Sequence, residues 1–396
     1  MINSVRDKVI FLIVSFAPWF SHFIYLPILT PHIELMGGKY TFIGIVLSSY
    51  GLMQFIFRLP IGICSDLFKL RRPFIVTGML ISTASCLLFA LTDSLGWVLI
   101  ARSLAGIAAA TWVVFTVLYS SYFVDREVHR AMSSISFVVV LAQLLGMSVS
   151  GIIVNEWGWH APFWIGGITS LLAAILSFFI YEVKEENARA PVKVIDLTSV
   201  IKEPMLIKVS MLSILAHSMI FTTTFGFIPA YALKIGLTAS EISLLVFTFM
   251  IPHAIATLFM GKLIVPLLGK WKTLNIAFFA SALITLLTPF IESKGLLMVI
   301  QALNGFSLGI VFPMLLGLAI ETIPHEKRAT AMGVYQALYA IGMFSGPFIA
   351  GVLNTKFGLA AGFYFTGIVG FIASILIITW SRKETDALKK HYEMST

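Results

Sequence analysis

Gly62-Ile63-Cys64-Ser65-Asp66-Leu67-Phe68-Lys69-Leu70-Arg71-Arg72-Pro73 is the stretch on which the reading of this chain turns. Between Asp66 and Arg72 it holds one acid and three cations, and on both sides it opens into apolar sequence, at about 42–64 and 73–92. A helix needs about 20 mostly apolar residues to cross the hydrocarbon core of a bilayer. Lipid offers no hydrogen bonds to a bare backbone, so apolar runs of that length are helices. The stretch is therefore a short polar turn at a membrane surface, joining two spans.

The pattern repeats along the chain. Further apolar runs fall at about 9–31, 97–120, 131–154, 162–181, 207–230, 242–264, 273–291, 295–319, 329–352 and 361–381, which makes twelve. Twelve spans use about 240 residues of the 396. Roughly 150 remain, enough for short loops and tails but not for a further soluble domain. Of all residues 58% are hydrophobic and 12% charged, against about a quarter charged in soluble domains. The mean hydropathy is +0.95. These values exclude a water-soluble enzyme, a disordered chain and a nucleic-acid-binding domain. Cys64 and Cys86 lie in or beside apolar runs and make no disulfide framework. The opening MINSVRDK leads into an apolar run longer than a signal-peptide core, with no small-residue cleavage site after it. It reads as an uncleaved first span.

Charge suggests the orientation. With the N-terminus in the cytoplasm, 21 of the 27 lysines and arginines fall on that side. Four (Lys39, Lys234, Lys294 and Lys356) fall outside, and Arg58 and Arg102 lie within spans. Basic residues are retained on the cytoplasmic side. Both termini are thus expected in the cytoplasm of a cell with this protein in its inner or plasma membrane. The net charge of +8 is then a topology signal, and no nucleic-acid partner is expected.

The longest connection, about 183–206, is charged and separates 1–182 from 207–396. The two parts look related. At an offset of 199, Gly62 meets Gly261, and Arg102-x-x-x-Gly106 meets Gln301-x-x-x-Gly305. At 200, Met132, Gly146, Gly151, Gly158, Ala161, Phe163 and Gly167 meet Met332, Gly346, Gly351, Gly358, Ala361, Phe363 and Gly367. Two parallel six-helix repeats imply a pseudo-twofold axis normal to the membrane and a site at their interface. The expected fold is an all-α membrane protein of twelve transmembrane helices in two pseudo-symmetric six-helix bundles, with a short cytoplasmic tail.

The turn at 62–73 resembles the signature loop of the major facilitator superfamily, G-x-x-x-D-R-x-G-R-R. Gly62, Asp66 and the Arg71–Arg72 pair match; Lys69 stands where the family has its second glycine, and Leu67 and Leu70 replace basic residues. In that family the loop latches the halves together when the cavity faces outward. The resemblance implies that Asp66 docks near the start of helix 11, with Arg71 or Arg72 and Asp125 completing a charge cluster. In the second copy Gly261, Lys270 and Lys272 remain, and Val265 replaces the aspartate. Pro27-Ile28-Leu29-Thr30-Pro31 ends helix 1 as in the twelve-helix drug–proton antiporter branch, and Arg102-Ser103-Leu104-Ala105-Gly106 resembles its helix 4 motif. The branch's helix 5 motif, G-x-x-x-G-P-x-x-G-G, is reduced to Ala142, Gly146, Met147, Ser150 and Gly151. A fuller copy stands in helix 11 as Gly342, Gly346, Pro347, Ala350 and Gly351. These small residues permit close helix contact. In the resembling fold helices 1, 2, 4, 5, 7, 8, 10 and 11 line the cavity.

All 19 acids sit in loops, tails or helix ends. Many antiporters of the resembling branch keep a carboxylate in helix 1, 4 or 5; this chain does not. Ionisable groups inside a membrane are functional candidates by default, and here they are Arg58, Arg102, His22, His217 and His253. Helical spacing places Ser15, Trp19 and His22 on one face of helix 1, Tyr50, Gln54 and Arg58 on one face of helix 2, and Ser213, His217 and Thr224 on one face of helix 7. Lipid cannot solvate such stripes, so they should face the interior. Tyr25, Gln143, Asn304 and Gln336 join them as cavity candidates, with Trp112 and Tyr335 as weaker aromatic ones.

A cavity with arginines and histidines but no acids should favour anionic or zwitterionic cargo, because buried charge requires its opposite. Histidine, titrating near pH 6.5 when unperturbed, makes His22 or His253 the candidate proton carrier, with Asp66 as the alternative sensor. Three histidines with no cysteine or carboxylate make a poor metal site. No P-loop is present, no cofactor is implied, and no nucleophile or acid–base pair has the spacing of an enzyme. The expectation is a monomeric, proton-coupled secondary transporter that exports a small amphiphilic, anionic or zwitterionic compound by alternating access. An uptake symporter is the nearest alternative, and a receptor or membrane enzyme the more distant one.

Overall fold

The computed structural model describes residues 5–123, 128–182, 200–324 and 327–395. Among them the chain is helical throughout, and twelve helices follow in order. These are α1 (Val5–Leu35), α2 (Tyr40–Phe68), α3 (Arg72–Leu91), α4 (Leu95–Ser120), α5 (Val128–Trp157) and α6 (Ala161–Ser177). After the connection come α7 (Pro204–Lys234), α8 (Ala239–Leu268), α9 (Lys270–Phe290), α10 (Lys294–Glu321), α11 (Arg328–Phe357) and α12 (Ala360–Ser395). Eleven are long and apolar enough to cross a membrane by length and composition, whereas α6 has 17 residues. Turn bonds from the Phe178, Phe179 and Ile180 amides to Ile175, Leu176 and Ser177 carry α6 one turn further.

Several helices are broken where proline or a tightened turn interrupts the ladder. α1 breaks between Phe23 and Leu26, just before Pro27, which lacks an N–H. Its counterpart α7 widens into a π-helix over Thr223–Phe227, ahead of Pro229. α4 tightens at Thr111, whose amide and hydroxyl both reach the Ala108 carbonyl.

Helices that succeed one another alternate in direction, so the N-terminus, the α6–α7 connection and the C-terminus lie on one face, here the terminal face, opposite the far face. Within the first bundle α2 packs on α4, α1 on α5 and α6, and α3 on α4 and α6. The second bundle repeats each pairing six helices later: α8 on α10, α7 on α11 and α12, and α9 on α10 and α12. The repeat holds at single residues. A Cβ on Gly106 would strike the Tyr50 carbonyl, and one on Gly305 the Phe249 carbonyl. A Cβ on Gly146 would meet the backbone of Phe20 and Ile24, and one on Gly346 that of Ser218. Only glycine lets two helix backbones approach so closely.

The two bundles meet along α2–α11 and α5–α8, again as a symmetric set. Gly151 lies against Ala239 and Ser240, and Gly351 against Tyr40 and Gly44. A Cβ on Gly44 would meet the Pro347 carbonyl, and one on Gly51 the backbone of Met343 and Phe344. Hydrogen bonds seal this far side: Thr41 to Thr355 (2.7 and 2.8 Å), Ser48 to the Phe344 carbonyl (2.7 Å), the Gly151 amide to Ser243 (2.6 Å) and Asn155 to Ser240 (2.6 Å). Toward the terminal face the fit is looser. Among the described residues, a Cβ on Gly62 would find only Val113 of its own bundle, at 3.7 Å, and Gly261, Gly317 and Gly333 have nothing within 4 Å. The helices are thus closed together at the far face and splayed at the terminal face.

The 62–73 turn is held within its own half. Asp66 pairs with Arg71, which also donates to Ser65 (2.6 Å). The Glu182 carboxylate accepts from the Arg71 amide and from the Arg72 amide (2.9 Å), capping the unpaired N–H groups at the start of α3. Lys69 ends α2 in the left-handed region, φ 53°, the conformation that favours glycine. Asp125 lies outside the described residues, as does most of the 183–206 connection. Beside the turn, Tyr122 donates to the Tyr181 carbonyl; burial, then Asp7 and Glu182, push its phenol above the ordinary tyrosine range.

Candidate functional site

Two polar clusters lie at mid-depth. The first spans the bundles. Arg58 comes from α2, just beyond the glycine-lined seal, and is 2% exposed. Its guanidinium donates to Gln54 Oε1, to the Tyr339 hydroxyl (3.2 Å) and to the Gln336 carbonyl (3.4 Å). Gln54 in turn reaches Met343 Sδ at 3.8 Å. The Tyr339 ring lies flat on His217, with centroids 4.0 Å apart and planes within 2°. His217 Nδ1 is 2.8 Å from the Ser213 carbonyl, and the Ser213 hydroxyl is 2.8 Å from the Tyr335 hydroxyl. Phe312 meets His217 edge to face, and His253 stands beside Phe312 and Phe249 with Nδ1 buried and unbonded.

The second cluster belongs to the first bundle. Arg102, also 2% exposed, donates to the Tyr25 hydroxyl (3.2 Å) and lies over the Tyr50 ring at 4.2 Å. Tyr50 also meets His22 edge to face and stacks on Phe221 of α7 at 6.3 Å. His22 Nε2 is 3.0 Å from Ser82 Oγ, itself 2.8 Å from Ser170 Oγ. A small cleft adjoins this cluster, lined by Pro18, Trp19, His22, Thr111, Trp112 and Phe115 among others.

An arginine does not lose its proton in a protein. Neither Arg58 nor Arg102 has a carboxylate partner among the described residues, and the Nε of each is buried and unbonded. Two full positive charges are therefore held in low-dielectric surroundings by neutral oxygens and ring faces alone, an arrangement that attracts an anion. No group of three or more His, Cys, Asp or Glu side chains among the described residues is placed to hold a metal.

The sequence candidates divide accordingly. Gln54, Arg58, His217 and the Gln336 backbone come together at the interface, with His253 one ring away. Trp19, His22, Tyr25 and Arg102 gather in the first bundle. Asn304 accepts from Ser281 (2.7 Å), inside the second bundle between α9 and α10. Gln143 is half-buried on α5. Sequence reasoning missed Tyr339, the ring that connects Arg58 to His217. The signal was present: Tyr335, Gln336 and Tyr339 follow one another at helical spacing on α11. It also missed Gln301, 1% exposed with both side-chain polar atoms unbonded, which stands at the repeat position of Arg102.

The model of the Major Facilitator Superfamily matches residues 11–238 and 210–394. Among relatives, an inner membrane transport protein of Escherichia coli, YajR, is 26% identical over 350 residues, covering 85% of this chain and 74% of that protein. Multidrug resistance protein 2 of Bacillus subtilis is 22% identical over 404 residues, covering 96% and 98%. Among solved structures, a bacterial homologue of the human lysosomal transporter Spinster, inward-facing and occupied, superposes with a TM-score of 0.80 at 12% identity, covering 95% of this chain and 96% of the other.

Proposed function

The chain belongs to the Major Facilitator Superfamily and is a membrane transporter rather than an enzyme, and from that premise we propose that it moves small organic anions or zwitterions across the inner or plasma membrane. The observation that carries this reading is Arg58, a buried cation at the junction of the halves with only neutral partners. A carboxylate entering from the splayed face competes with the Tyr339 hydroxyl and the Gln336 carbonyl for the same N–H groups. A carboxylate adds the attraction of opposite charges and a two-oxygen fork that matches the guanidinium, neither of which the neutral oxygens supply, so the carboxylate wins.

The terminal face is the cytoplasmic one in this proposal, on the weight of its lysines and arginines. The splayed helices then form a cytoplasm-facing state. Rocking the bundles about the interface would part the α2–α11 and α5–α8 seal and bring the 62–73 turn toward the start of α11. Asp66, Arg71 and Arg72, with Asp125, would then act between halves rather than within one. Export is the direction we favour, because relatives such as the Bacillus protein are named for drug resistance. Protons are the coupling ion we favour, with His253 as the carrier, since its Nδ1 has no partner among the described residues, and His22 or Asp66 as alternatives. The protein acts as a monomer in this reading.

Binding of benzoate, betaine and benzylammonium to the purified protein by titration calorimetry tests the cargo class. Benzoate should bind most tightly, and Arg58→Ala should weaken it by about tenfold or more, the value of a hydrogen bond to a charged group. Benzylammonium binding as tightly as benzoate would contradict the reading. Flux in vesicles with pH gradients of either sign separates export from uptake.

A further inference from the structure

The His217 ring is fixed by its neighbours, yet one of its nitrogens is left unused. Nδ1 lies 2.8 Å from the Ser213 carbonyl, one turn back on α7. A carbonyl oxygen can only accept, so Nδ1 carries the hydrogen and donates it. In a neutral imidazole the other nitrogen, Nε2, is then an acceptor. The Tyr339 ring lies flat on His217, with centroids 4.0 Å apart, and Phe312 closes in edge to face at 4.9 Å. Nε2 has no hydrogen-bond partner among the described residues, yet it is not sealed off as His253 Nδ1 is. His217, Tyr339 and Phe312 all stay half-buried at mid-depth.

The other acceptors of this cluster are engaged. Gln54 Oε1, the Tyr339 hydroxyl and the Gln336 carbonyl accept from Arg58, and the Ser213 carbonyl accepts from His217. Arg58 itself offers only donors. A molecule entering between the bundles thus meets a cation that calls for an acceptor and an imidazole nitrogen that calls for a donor. The Arg58 guanidinium carbon is 5.8 Å from the centroid of the same Tyr339 ring that lies on His217. Both groups are therefore within reach of one small molecule. We propose that His217 Nε2 is a specificity-determining acceptor of the cargo site, selecting organic anions that carry a hydroxyl or N–H donor over anions that carry none. The inference rests on the anion reading above and narrows the cargo class within it.

Titration calorimetry on the purified full chain tests it, with 3- and 4-hydroxybenzoate each set against the matching fluorobenzoate. Hydroxyl and fluorine are alike in size, but only the hydroxyl donates. In wild type one of the hydroxybenzoates should bind about fivefold more tightly than its fluoro partner, the worth of one neutral hydrogen bond. His217→Phe, which keeps a ring on Tyr339 and removes the acceptor, should abolish that preference. Diethyl pyrocarbonate, which acylates an unprotonated imidazole nitrogen, should label His217 in wild type, and the preferred hydroxybenzoate should protect it. Equal binding within both pairs by wild type would overturn the proposal, and so would a preference kept by His217→Phe. A His217 that is unlabelled or unprotected would overturn it too, a result that decides the matter even if His217→Phe does not fold. A hydroxyl preference in a protein that binds benzylammonium as tightly as benzoate would support this site while ending the anion reading. Benzoate preference without hydroxyl preference would do the reverse.

Discussion

The two bundles share their helix crossings and differ in their charges. Gly106 and Gly305, Gly146 and Gly346, and Gly151 and Gly351 make equivalent close approaches. Both intramembrane arginines lie in the first bundle. The repeat positions of Arg58 and Arg102, at an offset of 199, are Thr257 and Gln301. Small residues at repeated positions build the scaffold, and what one copy holds that the other lacks marks the site. The same contrast places Tyr339 opposite Val139, and Gly269 (φ 78°) opposite Lys69 (φ 53°).

If the shared glycines are the scaffold, matched substitutions should act alike. Gly106→Val and Gly305→Val each force a side chain into a neighbouring carbonyl and should each destabilise the protein by about 3 kcal/mol, the upper range for overpacking. Thermal unfolding in detergent measures this, and a large inequality between the two would break the equivalence. If the arginines are the site, their effect should be unequal to that of their counterparts. Arg58→Ala should weaken benzoate binding by about 2 kcal/mol, whereas Thr257→Ala should leave it within about 0.5 kcal/mol. Equal losses in the two would place the anion site elsewhere. The smallest effect concerns the turn after α2. Lys69→Gly relieves a left-handed lysine and should stabilise by about 1 kcal/mol. Gly269→Ala, whose backbone at φ 78°, ψ 159° suits glycine, should destabilise by at least as much. Denaturant titration compares them.

The fold was legible because its signals are periodic. Eleven of the twelve apolar runs predict their helices to within a few residues; α6 ends early because its regular helix stops at Ser177 and continues as turns, and α12 runs on past its apolar run, through the charged tail, to Ser395. The 199–200 offsets pointed to helix crossings that the structure then shows at Gly106 and Gly305. The site was legible only by helix face. Periodicity places Asn304 and His22 on polar stripes, but it cannot say that Asn304 turns to Ser281 or that His22 turns to Ser82. Those choices depend on which neighbouring helix offers a hydroxyl. Tyr339 escaped notice because a tyrosine on a packed helix face looks like core until the opposite bundle supplies Arg58 to its hydroxyl.

Alternating access requires that the far face opens as the terminal face closes. Two pairs of exposed, repeat-related positions report on it: Trp157 with Phe357 at the far face, and Leu67 with Leu267 at the terminal face. Each pair is changed to cysteine in a background carrying Cys64→Ser and Cys86→Ala, spin-labelled, and measured by pulsed electron–electron resonance with and without Gly351→Val. That substitution drives a side chain into the Tyr40 carbonyl and Gly44 across the seal. The far-face distance should lengthen while the terminal-face distance shortens. Both distances moving in the same direction, or one moving while the other stays fixed, would contradict it.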